Sequence, residues 1–176
     1  MFLSAGTAMP LSAQTDISRE YQVKAAFLFN FAHFITWPAD TFANPNSPFV
    51  IGVLGNDPFG EFLDDTVRGE KIDQHPLVIR RLQTIDEAKA CQILFVSHSE
   101  EKHVATILDR VRGAPVLTVS DVKDFCEKGG TIDFVTTAQN KVHFRINLAA
   151  SKDSGLTISS KLLRLADIVE AKNNPK

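Results

Sequence analysis

Over residues 17–36 apolar side chains crowd almost the whole circumference of a helix. At about 100° per residue, Arg19, Gln22, Asn30 and His33 fall with Ala26 on one narrow polar stripe, whereas Tyr21, Val23, Phe27, Leu28, Phe29, Phe31, Phe34 and Ile35 cover well more than half of the surface. That is wider than the stripe of a helix resting on one core. The pattern predicts an apolar N-terminal helix with a second covered face, supplied either by its own domain or by a dimer or other protein contact. Trp37-Pro38 ends it, because the residue before a proline is pushed out of the helical region.

Beyond Pro45 and Pro48 the period changes. Short apolar runs at 49–54, 77–79, 93–96 and 116–119 are separated by stretches that read as helices at 58–66, 84–89, 100–111 and 121–128. Continuous apolar runs of this length are what strands buried on both faces look like. Ser97 with Glu100 three residues later forms a capping box for the third helix. At Gly129-Gly130 the alternation stops, and 131–135 with 141–146 read as an antiparallel hairpin. A last helix over 158–171 places Leu162, Leu165, Ala166 and Val169 at helical spacing to close the core. The expected fold is α/β: a three-layer α-β-α domain with an open, mostly parallel sheet of Rossmann-like or flavodoxin-like type, the hairpin at one edge and the apolar helix at the N-terminus.

Composition narrows the function classes. The 176 residues suit one domain, and 44% hydrophobic with 23% charged content suits a globular one. Nineteen Lys and Arg against 21 Asp and Glu give a net charge of -2 without long runs of either sign, which argues against nucleic acid. The start, MFLSAGTAMPLSAQ, carries no charge before Asp16 and offers Leu11-Ser12-Ala13 as a cleavage site. Residues 1–13 therefore read as a signal-peptide remnant ahead of a single domain at 14–176, the alternative being a cytosolic leader. No stretch reaches the roughly 18 apolar residues of a membrane span, so no membrane insertion of the mature chain is expected.

The search for chemistry rejects most options. Gly55-Asn56-Asp57-Pro58-Phe59-Gly60 has the outer spacing of a phosphate loop, but Glu61 and Phe62 stand where Lys and Ser or Thr are needed. A dinucleotide fingerprint is missing, and a phosphoryl receiver would need an acceptor Asp where Ser97-His98 stand. His33, His75, His98, His103 and His143 form no metal-ligating spacing, and Asp64-Asp65 reads as a solvated pair. No nucleophile elbow occurs. The reading is therefore no enzyme, no catalytic residues, no cofactor and no metal. Cys91 and Cys126 lie toward the same sheet edge, so a bridge is conceivable, but two separate buried thiols are the favoured reading.

The segment EYQVKAAFLFNFAHFITWP from Glu20, GNDPFG from Gly55, CQILFVSHSE from Cys91, LTVSD from Leu117, GGTIDFV from Gly129 and FRINLAASKDSGLTISSKLLRLA from Phe144 together resemble the YfiR family of periplasmic proteins. The resemblance spans nearly all of the mature chain. It implies a periplasmic repressor, typically a homodimer, that binds the sensor region of an inner-membrane diguanylate cyclase and restrains cyclic-di-GMP synthesis; a sensor histidine kinase is the other membrane partner it allows. Some relatives carry further disulfide-forming cysteines, which this chain lacks. On this reading the partner contact falls on Phe27, Phe31, Phe34 and Trp37 of the first helix, and on Arg145, Asn147, Leu156, Ile158, Lys161 and Leu162 of the closing segment. The alternative function is a small-molecule-binding sensor module. Its ligand would sit at the C-terminal ends of the strands, near Gly55, Asn56, Asp57, Ser97, Ser120 and Asp121, where helix N-termini and a topological switch point converge.

Overall fold

The computed structural model describes the backbone of residues 11–170 and side chains from Asp16 on; most of the expected signal remnant, residues 1–10, lies outside the described residues. In chain order the elements are α1 (Leu11–Phe34), β1 (Ile35–Thr36), β2 (Phe49–Leu54), α2 (Glu61–Val67), β3 (Lys71–Ile72), β4 (His75–Leu82), β5 (Ile93–Val96), α3 (Val104–Val111), β6 (Leu117–Ser120), β7 (Ile132–Thr136), β8 (Val142–Asn147), α4 (Leu148–Asp153), β9 (Thr157–Ile158), α5 (Ser160–Leu163) and β10 (Asp167–Val169). Short 3-10 turns at Ile85–Ala90 and His98–His103 stand on either side of β5.

Eight strands form one sheet in the order β10-β8-β7-β6-β5-β2-β4-β3, and β1 pairs separately with β9. From β4 through β2, β5 and β6 to β7 all neighbours run parallel, and β7 and β8 form the expected antiparallel hairpin. The α/β class and the mostly parallel sheet are as the apolar runs predict. Two separate cores pack on the two faces. One joins α1, α2 and α5 to the sheet through Phe31, Leu63, Phe95 and Leu162; the other joins α3 and the turn at Ile85–Ala90 through Ala88, Leu94, Val104 and Ile107. Gly52, in the middle of β2, has a packing reason: a Cβ there would come within 2.5 Å of Cys91 Sγ.

Three local expectations fail for physical reasons. Residues 121–128 form successive turns rather than a helix; Asp124 adopts a left-handed backbone (φ 58°), which a helix does not tolerate. Ser97 does not cap the following turn, because its hydroxyl donates to Asn56 O at 2.6 Å across the sheet edge. The closing helix shrinks to one turn, α5, after which the chain leaves as β10 and pairs in parallel with β8. A capping box does form, at Thr84 with Glu87.

Candidate functional site

The crevice between β2 and β5, where the chain switches direction across the sheet, is the place a ligand is expected in this fold class. Here the chain's own hydroxyls tie the loop after β2 to the turn after β5, while Gly55 lines an adjoining cleft of ≈ 450 Å³ with Arg81, Thr84, Glu100 and His103. Ser97 Oγ donates to Asn56 O, Ser99 Oγ accepts from Asn56 N at 2.9 Å, and Gly55, at φ 91°, lies so close that a Cβ would meet Ser99 Oγ at 2.5 Å. The other residues of the expected ligand set are also engaged. Asp57 accepts from Phe59 N and from Arg81, which bridges onward to Asp64. That ion pair, above all its hydrogen bond, draws the Asp64 carboxyl below the usual range. Ser120 Oγ donates to Val96 O and accepts from Val122 N.

The sixth residue, Asp121, opens onto a different arrangement. It follows β6 at the C-terminal edge of the sheet and faces α1, where Lys24 is enclosed to 2% exposure. Lys24 Nζ lies 2.6 Å from Glu20 Oε1 and 2.9 Å from Asp121 Oδ2, and 4.4 Å from the centroid of the Tyr21 ring. Tyr21 donates its hydroxyl to Asp121 Oδ2 at 2.7 Å, and Thr136 at the end of β7 donates to Glu20 Oε1 at 2.9 Å. A charge removed from water to this degree is expensive unless paired and hydrogen-bonded. The sequence reading passes over Glu20, Tyr21 and Lys24 as a group. Its available signal is the i,i+4 pair Glu20/Lys24, which lies off the polar stripe and on the core-facing line of the helix.

Desolvation first, then the hydrogen bond to and charge of Asp121, push the Tyr21 phenol above its ordinary range. A raised folded value means stability that is whole below the unfolded value of about 10 and is lost as pH rises through the folded one. Tyr21 is the chain's only tyrosine, so phenolate absorbance reports it alone. No phenolate signal is expected above pH of about 10 until the protein unfolds; ordinary titration in the folded chain would contradict the site.

The residues expected at a partner surface divide. Phe31, Asn147, Leu156 and Leu162 are enclosed in the fold. Phe27 is half-buried against Phe31, Phe134 and Phe144, Trp37 stands edge-on to Phe49 at 4.9 Å, and Phe34 and Ile158 are half-buried against the same core. Asn147 caps α4, accepting from Ala150 N and donating to Cys126 O. Arg145 is consumed internally, gripping Asp133 and Glu127 at once, and its guanidinium is held more firmly protonated by those bonds, that to Asp133 first. Lys161 is exposed.

A surface the sequence does not mark is the open start of α1. Ile17, Lys24, Leu28 and Phe31 share one line of the helix. The last three are enclosed, yet Ile17 is 47% exposed. Glu20 and Lys24 sit at the C-terminal ends of β6 and β7, and the turn of helix before them runs beside the loop between β7 and β8, with Asp16, Arg19 and Val23 facing residues 139–143 across a cleft of ≈ 550 Å³, while Ile17 itself stays open. Val23 is exposed on α1 as well, whereas Val135 of β7, alternating with Phe134, is exposed on the sheet face away from α1.

Cys91 and Cys126 are free and buried. Desolvation pushes the Cys91 thiol up to about 11, and desolvation with the Asp133 charge pushes Cys126 up as well. Both are expected to resist alkylation at neutral pH and to react once the chain is denatured, with mass spectrometry counting the adducts. Among the described residues no group of three or more His, Cys, Asp or Glu is placed to hold a metal ion, and no helix is long and apolar enough to cross a membrane.

A family model described as YfiR/HmsC-like matches residues 21–167. Comparison with curated proteins gives no match. Among solved structures, a conserved domain protein from Vibrio cholerae O1 biovar El Tor strain N16961 superposes with a TM-score of 0.56 at 12% identity, over 86% of this chain and 60% of that one. The ABC domain from Streptococcus pneumonia in complex with L-Trp superposes with a TM-score of 0.50 at 11% identity, over 69% of this chain and 55% of that one. The chain thus spans less than two thirds of either, and at these identities the likeness is one of fold.

Proposed function

The chain belongs to the YfiR/HmsC-like family, and from that premise we propose that it is a periplasmic regulatory protein that restrains an inner-membrane diguanylate cyclase by direct protein contact. The family match over residues 21–167 is the observation that carries this reading. Such a regulator works by binding one state of its partner better than another, so it needs complementary surface and no chemistry of its own. The open start of α1 supports it: a core-facing helical line at Ile17, left open, is the kind of apolar feature that a partner covers. We place the contact on Ile17 and Val23, together with the solvent-facing parts of Phe27, Phe34 and Trp37 further along the chain. Phe31, Leu156 and Leu162 have no surface to offer it.

The test is binding of the purified chain to the periplasmic domains of the membrane-bound diguanylate cyclases of its own cell. Ile17→Asp changes an exposed side chain, so its unfolding curve should match that of the parent, while affinity should fall about tenfold or more, the equivalent of about 1.4 kcal/mol. A folded Ile17→Asp that binds as tightly as the parent would remove the start of α1 from the interface. Cyclase domains none of which binds either chain would remove the partner.

A further inference from the structure

The cluster around Lys24 lines a cleft of ≈ 290 Å³ between α1 and the C-terminal ends of β6 and β7, walled by Phe134 and rimmed by His98. We infer that this cleft takes the ammonium group of a small organic cation. The inference goes beyond regulation by protein contact and does not rest on it. It follows from a count of hydrogen-bond capacity.

Lys24 directs two of its three donors to Glu20 Oε1 and Asp121 Oδ2, and its charge lies over the Tyr21 ring. The Tyr21 hydroxyl proton goes to Asp121, and that of Thr136 goes to Glu20. What is left unfilled is chiefly acceptor capacity. Asp121 Oδ1 is enclosed with no hydrogen-bond partner among the described residues, on a side chain only 8% exposed, and the Tyr21 and Thr136 oxygens keep free lone pairs. A buried acceptor left unmade costs on the order of 1–3 kcal/mol, so a fold retains one where something else fills it.

Charge points the same way. Two carboxylates, Glu20 and Asp121, face one ammonium, leaving the cluster one negative charge in excess. An anionic ligand would meet both carboxylates and an ammonium already paired with them. A ligand with N–H donors and a positive charge satisfies Asp121 and restores neutrality. Phe134, itself 5% exposed and stacked on Phe31, closes the inner wall of the cleft, so the ligand's ammonium enters from the solvent side with its alkyl stem pointing outward.

The experiment titrates the full chain with n-butylammonium chloride and follows backbone amide shifts by NMR. Parallel titrations use potassium chloride at equal ionic strength and sodium butyrate. Saturable shifts centred on Lys24, Asp121 and Thr136 with butylammonium alone are expected. Asp121→Asn should weaken binding about tenfold, and Glu20→Gln, at a more open position, gives the same reading should Asp121→Asn fail to fold. An equal response to potassium, a response to butyrate, no saturable shift with butylammonium, or unchanged affinity in folded Glu20→Gln would each overturn the inference.

Discussion

Lys24→Ala is expected to lower the stability of the fold by about 3–5 kcal/mol, the usual cost of removing one partner from a buried ion pair. The cost arises less from the lost attraction than from what is stranded. Asp121, 8% exposed, would keep a carboxylate whose Oδ1 already lacks a partner, and only the Tyr21 hydroxyl would remain to Oδ2. Glu20, 23% exposed, can turn to water and contributes little to the penalty. For a domain of this length the loss corresponds to a fall in Tm of about 6–20 °C. Lys24→Met combined with Asp121→Asn should recover much of it, since a buried pair replaced by groups of similar volume without net charge is often tolerated. Calorimetry of the two variants separates the cases: equal losses for the single and double variants would mean that Lys24 matters for its packing rather than its charge.

Phe31→Ala is expected to cost a similar amount, about 3–5 kcal/mol, by a different route. The ring is fully enclosed, lies 5.2 Å from Phe144 and 5.9 Å from Phe134, and stacks on Phe27 at 6.1 Å, so it anchors α1 to the β7–β8 hairpin. Truncation removes its burial and leaves a cavity that rigid aromatic neighbours cannot readily fill. Phe27→Ala, half-buried on the same cluster, should cost clearly less, and denaturant melts of the two variants compare them directly. Equal losses would place Phe27 as deep as Phe31. The comparison also bears on the design of binding experiments: an aspartate at Phe31 unfolds the domain and so reports nothing about a contact surface.

The central strands are legible in the sequence because β2, β5 and β6 are covered on both faces and so run almost wholly apolar, the buried Thr118 and Ser120 of β6 being satisfied by internal hydrogen bonds. α1 is legible from its stripe: Arg19, Gln22, Ala26, Asn30 and His33 are all exposed. What defeats periodicity is competition from tertiary pairing. Val122, Phe125 and Cys126 have the i, i+3, i+4 spacing of a helix, and all three are buried, but successive turns bury them equally well. In the closing segment Leu162 is enclosed while Leu165 is 69% exposed, because the chain abandons helical geometry to lay β10 along β8. A sequence shows which residues want burial; it does not show whether a neighbouring strand edge is open to receive them.

The candidate site was legible in part. Asp121 is found by a general rule about strand ends, whereas its partners are not: Glu20 and Lys24 stand out as charges on the core-facing line of α1, but what they meet is fixed only when α1 is laid against β6 and β7. The open start of α1 is harder still, because Ile17 looks like every other core-facing position of its helix. Only the packing around the helix N-terminus decides that it is open.

Cyclic-di-GMP measured in the native cell tests the contact at Ile17 most directly. Deletion of the chain should raise the messenger, and Ile17→Asp, exported and folded at parental levels, should raise it to the same extent. A messenger level that stays at the parental value in the Ile17→Asp cells, while rising on deletion, would contradict regulation through the exposed end of α1.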